Sequence, residues 1–120
     1  MSITGKIWGT TERQIAMPMF EKHLLRINPK HRCSLHRHHR KWNSFTVISG
    51  KLFIDTVTEN RKFDVTVLGP GDSTTVPPGV FHRFRTGDEP CVATEEYYPE
   101  ALSEDIQRMD HGGPVVDDGD

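Results

Sequence analysis

The stretch CSLHRHHRKWNSF, residues 33 to 45, places three histidines within four residues and flanks them with arginine and lysine. Three uses suit such a cluster: a metal site, a basic patch for an anionic partner, or a solvated loop. In an extended chain, residues i and i+2 point to the same face. If the segment around His36 is a strand, His36 and His38 project together and Arg37 projects the opposite way. That spacing hands two imidazoles to one ion, while His39 faces away. A third ligand must come from elsewhere, and His82 is the best candidate, on an expected strand just after a Pro-Gly turn. Zinc, manganese, iron and nickel all accept neutral imidazole, so three histidines name one divalent transition metal without choosing among them. His23, His31 and His111 have no partner at a useful spacing and read as surface histidines.

The elements that must hold these side chains are strands. Helix signals are scarce before residue 100, and short stretches rich in β-branched and aromatic residues recur between Gly, Pro, Asn and Asp. HLLRIN (23–28), SFTVIS (44–49), KLFIDTV (51–57), KFDVTVL (62–68), STTV (73–76), VFHRFRT (80–86) and CVATEEYY (91–98) are the expected strands. SGK at 49–51 reads as a tight hairpin turn, and GPGD and PPG as further turns. Short strands at this spacing predict an all-β fold, a single antiparallel sandwich, barrel or jelly roll. Residues 1–102 are the expected barrel. Residues 103–120 are expected to be a short helix starting near Ser103, followed by an acidic tail that frays.

The chain has 120 residues, one domain's worth. It holds no apolar run near the ~20 residues that span a bilayer, and no signal-peptide pattern. The expectation is a soluble, cytoplasmic protein with no membrane partner. Cys33 and Cys91 lie far apart without CxxC spacing and read as reduced thiols. The net charge of −2 hides an asymmetry. Residues 1–86 carry 14 Lys and Arg against 6 acidic residues, and residues 87–120 carry one arginine against 11. Such segregation suggests an acidic tail that lies against its own basic body or a neighbouring subunit. The basic residues form no recognisable helix or aromatic platform, so nucleic acid is not an expected partner.

Two segments resemble the cupin superfamily. The first cupin motif runs G-x5-H-x-H-x(3,4)-E-x6-G, and His36, His38, Asn43 and Gly50 stand at its offsets. The second runs G-x5-P-x-G-x2-H-x3-N, and Gly71, Pro77, Gly79 and His82 match it, with Thr86 where Asn is usual. The resemblance implies a small antiparallel β-barrel or jelly roll with a metal inside its mouth, held by His36, His38 and His82. KIWGTTE (6–12) and SLHRHHRKWNSFTVISGKL (34–52) are also similar to the cupin domain of type II mannose-6-phosphate isomerases. The motif glutamate is replaced by Asn43. An asparagine offers at most a neutral carbonyl oxygen and has no useful pKa for acid–base work.

What the resemblance implies is a metal-dependent isomerase or epimerase acting on a sugar or sugar phosphate. Such a reaction polarises a carbonyl and moves a proton between carbons. With Asn43 in place the base must come from elsewhere. Alternation from Thr94 nominates Glu96, and a register shift of one residue would nominate Glu95. Arg40 and Lys41 follow the histidines and could meet a phosphate. Two other readings stay open. Three histidines with no carboxylate also resemble the iron(II) thiol dioxygenases. A barrel that has lost its carboxylate could instead bind a sugar without turning it over. Trp42, beside Asn43 on the opposite face, is a candidate for burial in a homodimer, since exposed sheet edges need cover.

Overall fold

Alternation along the strands decides which faces meet. A computed structural model describes residues 2–99 and 107–115. Within them nine strands follow in order: β1 Ser2–Lys6, β2 Gly9–Met17, β3 Phe20–Ile27, β4 Lys41–Ser49, β5 Leu52–Val57, β6 Phe63–Leu68, β7 Ser73–Val76, β8 His82–Arg85 and β9 Cys91–Pro99. On β4, Asn43, Phe45 and Val47 are buried and the residues between them are not. Cys91, Ala93 and Glu95 do the same on β9, and His82 and Phe84 on β8. These period-2 patterns turn one face of each strand inward.

Two antiparallel sheets result, of order β1-β2-β3-β9-β4-β7 and β6-β5-β8. Leu25, Ile27, Phe45, Val47, Leu52, Ile54, Phe84 and Ala93 fill the space between them. Trp8 packs edge-on against Phe84, ring centroids 4.8 Å apart, worth about 0.5–1.5 kcal/mol beyond burial. The turn between β4 and β5 depends on Gly50. Its φ is +80°, and a Cβ there would lie 2.2 Å from the Pro90 carbonyl oxygen, so no other residue fits without backbone movement. The architecture is the expected all-β jelly roll, and no helix among the described residues is long and apolar enough to cross a membrane.

Three expectations need adjustment. The first two strands, which form a hairpin at the edge of the large sheet, carry no clear period-2 signal and were not expected. The segment bearing His36 is not a continuous strand. It runs antiparallel to β8 through isolated bridges only, Arg32 with Arg85 and His36 with His82. The helix expected from Ser103 begins on residues outside those described, and 107–115 are exposed without regular structure.

Candidate metal centre

The bridge to β8 sets His36 directly beside His82, with backbone hydrogen bonds of 3.1 and 2.8 Å in the two directions. The PPG turn then does two jobs. It launches β8, and the Gly79 N–H donates to the His38 carbonyl at 2.7 Å. Gly79 has φ +85°, which glycine adopts without strain. The result is a cluster of three imidazoles: one ring nitrogen from each of His36, His38 and His82 lies within 4.8 Å of the others. Their ring centroids are 4.7 to 5.5 Å apart.

Hydrogen bonding fixes the tautomers. His36 Nδ1 donates to the Ser34 carbonyl at 2.8 Å, and His82 Nδ1 to the Val80 carbonyl at 2.9 Å. A carbonyl only accepts, so Nδ1 carries a proton in both rings, and in the neutral ring it is Nε2 that offers the lone pair. This is the arrangement by which a protein orients metal-binding histidines. The Nε2 atoms of His38 and His82 are buried and have no hydrogen-bond partner in the protein. Burial first, then the charges of Lys41, His36 and His82, holds the His38 pKa down at about 4. Burial likewise lowers that of His82. Buried, neutral, unpartnered imidazole nitrogens converging on one point fit a divalent transition metal.

Asn43 is buried on β4, and its Nδ2 donates to Glu95 Oε2 at 2.8 Å. Its Oδ1 is buried and has no partner in the protein. Glu95, not Glu96, is therefore the carboxylate on the inner face. Thr94, Glu96 and Tyr98 do share a face, as alternation requires, but it is the outer one, with Glu96 paired to Ser44. Burial raises the Glu95 pKa against the opposing hydrogen bonds from Tyr97 and Asn43. Tyr97 is itself pushed up by burial and by Glu95, and it packs edge-on against His38 at 5.7 Å. Lys41 Nζ sits 3.9 Å over the Tyr97 ring, whereas Arg40 is exposed.

A cavity of about 410 Å³ opens beside His36, the one member of the cluster that lines it. His36, Glu95, Tyr97 and His23 give it polar walls, and Trp8, Leu25 and Phe84 apolar ones. Lys6 and Thr11 of the first hairpin close one side. His23 is thus not a mere surface histidine. Thr11 Oγ1 is 3.1 Å from its Nδ1, and Glu21 Oε1 lies 3.2 Å from its Nε2. His31 and His39 are exposed, as is His111.

Comparison with known proteins agrees with this architecture. The family described as "Cupin domain" matches residues 23–95. Acireductone dioxygenase from Leishmania major is 34% identical over 55 residues, a match covering 46% of this chain and 16% of that protein. Among solved structures, the capsular polysaccharide assembling protein CapF from Staphylococcus aureus superposes with a TM-score of 0.73 at 19% identity, over 87% of this chain and 30% of that one. Oxalate decarboxylase from Bacillus subtilis, whose Mn(II) centres have been studied, gives 0.72 at 17%, over 88% and 29%. This chain spans less than a third of each of these three proteins. With its jelly roll, both histidine segments and most of its length inside the matched region, the chain belongs to the cupin family.

Proposed function

We propose that this cupin is a metal-dependent enzyme that isomerises or epimerises a small polar substrate, a sugar or sugar phosphate. The observation that carries this reading is Glu95, a buried carboxyl facing the cavity beside His36 and gripped by Asn43. The similarity of residues 6–12 to mannose-6-phosphate isomerases supports it further, because Lys6 and Trp8 of that stretch line the same cavity.

A divalent metal held by His36, His38 and His82 would act as a Lewis acid toward a substrate carbonyl or hydroxyl oxygen. Asn43 Oδ1, buried and without a partner in the protein, is the candidate for a fourth ligand. The remaining work belongs to the chain. Burial raises the Glu95 pKa, which makes its carboxylate a better proton acceptor, and one carboxyl can take a proton from one carbon and return it at the next. Asn43 and Tyr97 fix its orientation. Trp8, Leu25 and Phe84 exclude water, and Lys6 suits an anionic substituent.

The test is elemental analysis together with deuterium incorporation from D2O into candidate sugar phosphates. We expect about one metal per chain, lost in His36→Ala and His82→Ala. Glu95→Gln should keep the metal but lower turnover about 10²–10⁴-fold. Deuterium incorporation undiminished in Glu95→Gln would remove that residue from the mechanism. A metal-loaded protein that binds sugars without exchange would leave a non-catalytic binding cupin.

A second reading, an iron(II) dioxygenase, draws on a specific observation. The donors clustered among the described residues are three imidazoles with no carboxylate, and acireductone dioxygenase is among the similar proteins. Oxygen uptake that requires iron(II) and leaves sugars unchanged would decide for it.

The assembly we propose is a homodimer formed through the outer face of the large sheet. Ile3, Ile15 and Met17 are exposed on the hairpin. The strand register carries Ile3 and Ile15 onto the same face as Trp42 and Tyr98. A cytoplasmic setting suits the two free thiols, Cys33 and Cys91.

A further inference from the structure

The outer face of the small sheet carries a second built feature, on the far side of the wall from the histidines. Register places Phe53 and Asp55 opposite Arg85 and Arg83, with Val65 and Val67 beside them on β6. Asp55 is buried, and one of its oxygens accepts hydrogen bonds from both arginines, Arg83 Nε at 2.9 Å and Arg85 Nε at 2.8 Å. Each guanidinium carbon also lies over a ring: Arg83 over Phe63 at 4.5 Å and Arg85 over Phe53 at 4.6 Å. Anchored by Nε and by stacking, both arginines keep their terminal nitrogens for something else. The bridge from Arg32 to Arg85 and the stacking of Arg37 over Phe81 at 4.8 Å add two more guanidiniums along the same edge. Four arginines against one carboxylate leave a preorganised cationic face, interleaved with Phe53, Phe63 and Phe81.

We propose that this face is the docking surface for the chain's own acidic C-terminal segment, residues 100–120. That segment carries seven acidic residues against one arginine, which complements the face in sign. It also begins in the right place. Pro99 pairs with Lys41 at the end of β9, and Lys41 is four residues along the chain from Arg37. Twenty-one residues reach about 70 Å when extended, beyond the 58 Å long axis of the molecule, so reach does not limit docking. Tethering raises the local concentration of the segment to the millimolar range, which favours a chain's own tail over that of another copy. Attraction between exposed charges is screened by salt, so docking should weaken as ionic strength rises.

The test compares the full chain with a variant in which six tail acids are neutralised: Glu104→Gln, Asp105→Asn, Asp110→Asn, Asp117→Asn, Asp118→Asn and Asp120→Asn. Amide and arginine Nε–H resonances should differ between the two at β6, β8 and Arg32–Arg37, and the difference should vanish in about 0.5 M salt. A synthetic peptide of residues 100–120 should bind the neutralised variant in trans. It should bind about tenfold more weakly once the exposed Arg32 and Arg37 are both changed to Glu. These two, not Arg83 and Arg85, are altered because Asp55 would otherwise be left buried without its partners. Identical spectra for parent and variant, or shifts confined to the large sheet, would overturn the proposal. Shifts that grow with protein concentration would overturn it in favour of docking by the tail of a second copy.

Discussion

At the scale of single residues, the centre rests on a displaced carboxylate. Position 43 carries an amide, and the carboxyl group sits one strand away at Glu95, with Asn43 as its hydrogen-bond donor. The pair is buried, so neither member can be removed without stranding the other. Asn43→Ala should destabilise the fold by about 1–3 kcal/mol, the cost of leaving a buried carboxyl short of a donor, measured by denaturant unfolding at neutral pH. Glu95→Gln should cost less, because its amide can still accept from Asn43. If Asn43→Ala were neutral in stability, the 2.8 Å hydrogen bond would have no energetic role. Sequence alternation paired His36 with His38 but left Glu96 and Glu95 as alternatives, and the register turns Glu95 inward. Cys91, Val92 and Ala93 are all small or apolar, so nothing in that run announces which parity faces inward.

At the scale of elements, β3 to β9 were legible because each carries a run of β-branched or aromatic residues bounded by turn residues, and all but the exposed β6 bury one face. The first hairpin was not. Ser2–Ile7 and Arg13–Met19 are exposed on both faces, so no selection for an apolar face writes a period into SITGK or ERQIAM. The bridge between His36 and His82 was also invisible locally, since it depends on a segment that pairs without being a strand. The small sheet adds a dependence on pH. Burial works against the charge of Asp55, and the hydrogen bonds from Arg85 and Arg83 outweigh it, holding the carboxyl below its usual range. A depressed folded pKa gives stability that is present above the unfolded value and lost as pH falls through the folded one. The protein should therefore lose this contribution on acidification below about pH 4. Asp55→Asn should be about 2 kcal/mol less stable at pH 7 and show a shallower acid dependence below pH 4. Equal acid slopes for the two proteins in thermal melts would remove the Asp55–arginine cluster as the cause.

At the scale of the whole molecule, a six-stranded sheet faces a three-stranded one, and the surplus hairpin exposes Ile3, Ile15 and Met17, which the proposed dimer would cover. Sedimentation should find a dimer, and Ile3→Asp with Ile15→Asp should convert it to a monomer that still binds metal. A parent protein that sediments as a monomer at micromolar concentration would rule out the proposed interface. The same imbalance bears on the cavity, because Lys6, Trp8 and Thr11 come from the least supported part of the sheet. The outer ribbon joins the sheet through the pairing of β2 with β3, and amides at such an edge open at less free-energy cost than those of a core strand. Any small molecule that bridges Trp8 to Tyr97 would tie that ribbon down. Amide hydrogen exchange along Ser2–Met17 should then slow several-fold, while β4 and β5 stay unchanged. The wall of the cavity thus serves as a reporter of occupancy, able to screen a metabolite collection before any reaction is known.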